Sequence, residues 1–165
     1  MKQTLEELTE GMQARKDAAL ETTDYELINR LNSFNAPYLE EKLMKRNVFP
    51  NKDEYNTAFI EFKKYAALCV IHGRQIPMKS KAVDEVWHQF ILFTPHYAKF
   101  CDDYLGKFLH HIPSTSLTPM PEGITPINFS SAYESTFGKI PLIWENSSWS
   151  CTNGGTDDCV DTTER

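Results

Sequence analysis

Apolar residues recur at three- and four-residue steps from the start of the chain to about residue 112. No strand-length alternation of polar and apolar positions repeats there, so the pattern predicts successive amphipathic helices. A first, polar segment runs from about Leu5 to Leu20, with Leu5, Leu8 and Met12 on one face. Thr23 opens a second helix through Leu31, with Asp24 and Glu26 in the first turn, where the helix dipole favours negative charge. Pro37 suits the first position of a third helix ending at Lys45. Asn51 or Asp53 opens the longest helix, ending near His72 with Gly73 as a left-handed stop.

Ser80 caps the next helix, Lys81 to about Phe93, whose stripe of Val83, Val86, Trp87, Phe90 and Phe93 marks it as central to the core. Thr94 as cap and Pro95 as first residue begin another helix, which carries Tyr97, Phe100, Cys101, Tyr104 and Leu105 inward and ends near Gly106. Expected core residues are Phe59, Phe62, Leu68, Val83, Val86, Trp87, Phe90, Phe100 and Leu105.

The texture changes after Ile112. Pro113, Pro119, Pro121, Pro126 and Pro141 interrupt the chain, and each proline fixes φ and removes a backbone donor, which forbids long helices. One short helix is expected from Ser130 to Phe137, stopped by Gly138. The expected fold is therefore mainly α. It is a single compact domain of about five to seven helices over residues 1–112, with an irregular Pro-rich C-terminal extension, residues 113–165. The extension packs on the domain or on a partner, holds the short helix near 130–137 and ends in an acidic Cys/Gly tail.

Composition narrows the function classes. The chain has 165 residues, 41% hydrophobic and 24% charged, ordinary values for a folded domain. No run of apolar residues is long enough to span a bilayer, and the first residues lack a secretory core, so a cytoplasmic location is expected. The net charge of −6 has the wrong sign for a protein held on phosphates, which argues against nucleic acid and anionic membrane as partners. Phosphate-binding loops, dinucleotide fingerprints and nucleophile elbows are all missing.

Candidate chemistry gathers between Asp84 and His111, a stretch holding four of the five histidines. Asp84 and His88 lie four apart on one helix face, where the carboxylate can accept the imidazole N–H and fix its tautomer. The pair suits a general base, a metal site or a buried hydrogen bond orienting two helices. Zinc needs three or four ligands, and Asp84-x-x-x-His88 supplies two. The remainder has to come from His110, His111, His96 or Cys101 through the fold, with Asp84, His88 and His110 as one candidate set. No cofactor is implied outright, and the one the residues admit is a divalent metal ion. Cys69 and Cys101 sit on apolar faces as small core side chains. Cys151 and Cys159 bracket a Gly-rich loop that could close as a disulfide if oxidised or offer half a metal site, with free thiols the default in a reducing compartment.

The run Ala82-Val83-Asp84-Glu85-Val86-Trp87-His88, then Phe90 to Thr94, Tyr97, Phe100-Cys101 and Phe108-Leu109-His110-His111-Ile112-Pro113, resembles the glycine-rich domain-containing protein-like family. The resemblance covers roughly residues 60–113, with a weaker echo at Trp149 to Cys159. It implies a helical domain organised around Asp84, Trp87 and His88, and no reaction. Where many members carry a second histidine two residues after the first, this chain has Phe90.

Two functions follow. One is a helical interaction or structural module acting by protein binding or self-association, with exposed Trp144, Trp149, Ile140 and Ile143 as anchors. The other is a metal-dependent enzyme with a site built on Asp84 and His88 and completed by His110 or His111.

Overall fold

The computed structural model describes residues 20–73, 76–112 and 128–145. The expected first helix, Trp149, Cys151, Cys159 and most of the Pro-rich stretch lie outside the described residues. Six α-helices and no strand occur among the described residues.

Helix α1 spans Thr22–Ser33 and is capped by Glu21 rather than Thr23. The Asp24 carboxylate accepts the Glu21 backbone N–H at 3.0 Å, while the Glu21 side chain serves the N–H of the third residue. The Glu21 N–H thereby gains an acceptor, and the Asp24 N–H also donates to the Glu21 carbonyl at 3.0 Å. Leu27, Ile28 and Leu31 form its buried face. Helix α2, Pro37–Lys45, starts on proline as its preset φ dictates and buries Leu39 and Leu43.

Helix α3, Lys52–Ile71, is the axis of the fold and packs against α1, α2, α4 and α6. Asn51 caps it, accepting the Glu54 N–H at 2.9 Å, and Gly73 ends it at φ +61°, in the left-handed region glycine occupies without strain. Neighbours on several sides explain why its buried residues are not confined to one stripe: Tyr55, Phe59, Phe62, Tyr65, Ala66 and Cys69 are joined by the charged Glu61 and Lys63. The Lys63 ammonium donates to the carbonyls of Asn32 and Phe34, each at 3.3 Å, at the C-terminal end of α1.

Helix α4, Lys81–Leu92, carries the expected cap, with Ser80 Oγ accepting the Val83 N–H at 3.3 Å. Helix α5, Thr94–Phe100, follows directly. Phe93 rather than Thr94 precedes its first helical residue, and no side chain caps it, because α4 and α5 are separated by one residue and Thr94 is already in helical conformation. From Cys101 to Leu105 the helix widens into a π-turn, and it stops at Gly106, φ +71°. Residues 107–112 then run without helix along α4 and α5.

The core contains all nine residues expected of it. Phe34, Phe90 and Phe100 form its aromatic centre, Phe100 lying 4.6 Å from Phe34 and 5.1 Å from Phe90 between ring centroids. Helix α6, Phe129–Phe137, begins one residue before its expected start, with Asn128 accepting the Ser131 N–H at 3.2 Å. A 3₁₀ turn, Leu142–Trp144, follows. Trp144 is not an exposed anchor. It is buried, and its indole N–H donates to Glu61 Oε2 at 2.7 Å, because a buried carboxylate on α3 needs that donor. Ile140 and Ile143 are partly buried against the same core. No described helix is long and apolar enough to cross a membrane.

Candidate metal centre

Asp84 and His88 stand one turn apart on α4, and His88 Nε2 approaches Asp84 Oδ2 to 3.5 Å. The other carboxylate oxygen, Oδ1, lies 2.9 Å from Nε2 of His111, a residue 27 positions further along. One carboxylate thus faces two imidazoles, whose rings are 4.4 Å apart between centroids. The three ligand atoms all lie within 4.8 Å of one another.

His110 is not part of this group. It stays exposed, its ring 4.8 Å from Phe108. The set Asp84, His88 and His110 is therefore replaced by Asp84, His88 and His111. The segment after Gly106 is not helical, and its path presents the second of the two adjacent imidazoles to α4. His96 lies elsewhere, 4.5 Å from the Tyr38 ring.

Trp87 forms the wall behind the cluster. It is buried, its indole meets the His111 ring edge-on at 4.4 Å, and its N–H donates to the Tyr97 hydroxyl at 2.9 Å. Tyr97 in turn donates to the Leu109 carbonyl. Burial pushes the Tyr97 phenol well above its ordinary range, so the hydroxyl keeps its proton and can donate it. Nothing in the spacing of Tyr97 marked it as part of the site, since it occupies an ordinary inward helix position.

Exposure grades across the cluster. The side chain of His88 is 46% exposed, Asp84 24% and His111 16%. The cluster is thus most open to solvent at His88 and is backed by the buried Trp87 indole beside His111. An ion of the zinc type bonds imidazole nitrogen and carboxylate oxygen at about 2.0–2.2 Å, so tetrahedral donors stand roughly 3.4 Å apart. The two Nε2 atoms approach different oxygens of Asp84, at 2.9 and 3.5 Å, and one ligand atom from each of the three residues lies within 4.8 Å of the other two. Two imidazoles and a carboxylate suit zinc and its transition-metal neighbours rather than calcium or magnesium, which prefer all-oxygen shells.

The two described thiols are not placed to act as nucleophiles. Cys69 and Cys101 are buried, and burial pushes the Cys69 thiol up to about 11 and the Cys101 thiol upward as well.

Among family models, the one described as UCP032817-like matches residues 24–127, a span that begins inside α1, holds α2 to α5 and all three clustered residues, and stops before α6 and the last turn. This match corrects the resemblance to the glycine-rich domain-containing protein-like family: the Asp-x-x-Trp-His and Phe-x-His-His-x-Pro motifs fall inside a UCP032817-like region. Comparison with curated proteins and with solved structures finds no match.

Proposed function

Because the chain belongs to the UCP032817-like family, which brings no activity with it, we propose from the site alone that it is a metal-dependent protein holding a divalent transition ion on Asp84, His88 and His111. The observation that carries this reading is the convergence of two imidazole Nε2 atoms on the two oxygens of one half-open carboxylate. Without an ion, each imidazole can spend an N–H on that carboxylate. A dication takes the place of those protons and satisfies all three groups at once. Three protein donors leave a coordination position for water or a substrate oxygen, as in catalytic rather than structural zinc sites. The chemistry such an ion supplies is polarisation of a bound oxygen or activation of water.

Zinc titration of tag-free protein by calorimetry, with elemental analysis, tests this. One ion per chain is expected. His88→Ala and His111→Ala are each expected to weaken binding by at least about 100-fold, the upper end of what loss of an outer-shell partner costs, while His110→Ala leaves it unchanged. Absence of stoichiometric binding, or equal losses from His110→Ala and His111→Ala, would overturn the reading.

A further inference from the structure

His111 reaches Asp84 from a segment with no helix of its own to aim it. A ligand on irregular backbone holds its place only if something fixes the peptide beside it. The neighbouring groups supply one candidate. Two residues before His111, the Leu109 carbonyl accepts the hydroxyl of Tyr97, which sits on α5. That hydroxyl is itself oriented by the indole N–H of Trp87 on α4, the helix that carries Asp84 and His88. Trp87 also presents its ring to His111 at 4.4 Å. The chain of contacts thus starts on the helix that supplies two ligands, passes through Tyr97 and ends on the peptide that delivers the third.

We infer that Tyr97 is a positioning residue: clamped by Trp87 and clamping Leu109, it holds the His111 imidazole against Asp84. The ring of Tyr97 packs among Phe90, Phe100 and Phe108, with centroids 5.2, 6.4 and 5.4 Å away, so the ring and the hydroxyl have separable duties. Tyr97→Phe keeps the first and removes the second. The consequence for ion binding rests on the proposed metal role, whereas the placement of His111 does not.

The test has one readout for each. In metal-free protein, proton NMR cross-peaks from the His111 ring to Trp87 and His88 are expected in the wild type and lost in Tyr97→Phe, while those from Trp87 to Phe62 and Tyr65 persist. Zinc affinity is expected to fall about 10- to 100-fold in Tyr97→Phe, the usual cost of losing an outer-shell partner. With His111→Ala already in place, adding Tyr97→Phe should cause no further fall, because the tyrosine acts through that imidazole. Unchanged His111 cross-peaks overturn the inference. So does an affinity loss of the same size with and without His111, which is what a general loosening of the fold would give. A wild type that takes no zinc but loses the cross-peaks in Tyr97→Phe sinks the metal role and leaves the positioning intact. Should Tyr97→Phe not fold, Trp87→Phe, which removes the N–H aiming the hydroxyl and keeps a ring beside His111, is read through the His111–His88 cross-peaks and zinc affinity, with a smaller loss expected.

Discussion

Two carboxylates on neighbouring helices are treated in opposite ways. Glu61, on α3, is 3% exposed and closed in by its donors: Lys64 Nζ at 2.8 Å, the Tyr133 hydroxyl at 2.7 Å and the Trp144 indole N–H at 2.7 Å. Two of these come from the C-terminal elements, 72 and 83 residues away. Asp84, on α4, is 24% exposed and faces two imidazoles. The partners decide what each can do. A lysine, a phenol and an indole offer hydrogens and keep them, so Glu61 acts as a fastener for α6 and the 3₁₀ turn. An imidazole can exchange its hydrogen for a metal, and it is on that exchange that the proposed role of the Asp84 cluster rests.

The sharpest way to break the contrast is to remove the sealed carboxylate. Glu61→Leu takes the acceptor from the buried Tyr133 hydroxyl and Trp144 indole N–H and leaves the partly exposed Lys64 with only the Tyr133 oxygen, 3.1 Å away. Removing one partner of a buried pair usually costs about 3–5 kcal/mol. Denaturant unfolding should show a loss of that size, and the emission of Trp144 should shift red as its segment leaves α3. Adding Lys64→Met and Tyr133→Phe to Glu61→Leu should recover part of the loss, because fewer polar groups are then stranded. No change in zinc binding is expected from either variant.

How much of this was legible beforehand depends on reach along the chain. Helix punctuation was readable because it is local. Pro37, Asn51 and Ser80 start helices and Gly73, Gly106 and Gly138 end them where their backbone chemistry demands. The Asp84–His88 pairing was readable for the same reason, since four residues along a helix bring two side chains together whatever the fold. The choice between His110 and His111 was not, because the path after Gly106 is set by the Tyr97–Leu109 hydrogen bond, a contact between a helix and irregular chain. The fate of Trp144 was hidden too. A tryptophan in a Pro-rich segment reads as exposed until an acceptor is known, and Glu61 looked like one more charge on a long helix.

A second buried charge, Lys63, shows burial without a carboxylate partner. Lys63 is 5% exposed and bonded only to carbonyls, and burial pushes its amine down to about 8 from 10.5. The unfolded chain therefore holds this proton more tightly than the folded one. Charged Lys63 costs stability below pH 8, and that cost is relieved as pH rises from about 8 toward 10.5. Cys69 and Cys101 work the other way, since burial raises their folded-state values and the unfolded thiols ionise first. Comparison with Lys63→Met isolates the amine: between pH 7 and 10 the wild type should gain about 2 kcal/mol relative to the variant, since each tenfold difference in proton affinity between the two states is worth about 1.4 kcal/mol. A constant difference across that range would mean that the amine is not desolvated as its surroundings indicate.

The smallest expected effect on stability is the one that bears most directly on the proposed metal role. Asp84→Asn keeps the shape of the side chain and an oxygen for His111 to donate to, but removes the charge. The site is half open, so solvent already screens the pair, and exposed ion pairs are worth about 0–1 kcal/mol. Thermal or urea unfolding should therefore barely separate Asp84→Asn from the wild type. Zinc affinity should nevertheless collapse, because a neutral amide oxygen is a poor substitute for a carboxylate between two imidazoles. A fastener loses stability in proportion to what it held together, whereas a ligand can be lost with the fold intact. If Asp84→Asn instead cost as much as Glu61→Leu while zinc binding stayed the same, Asp84 would be a second fastener, and its two imidazoles would be there to tie residues 107–112 to α4.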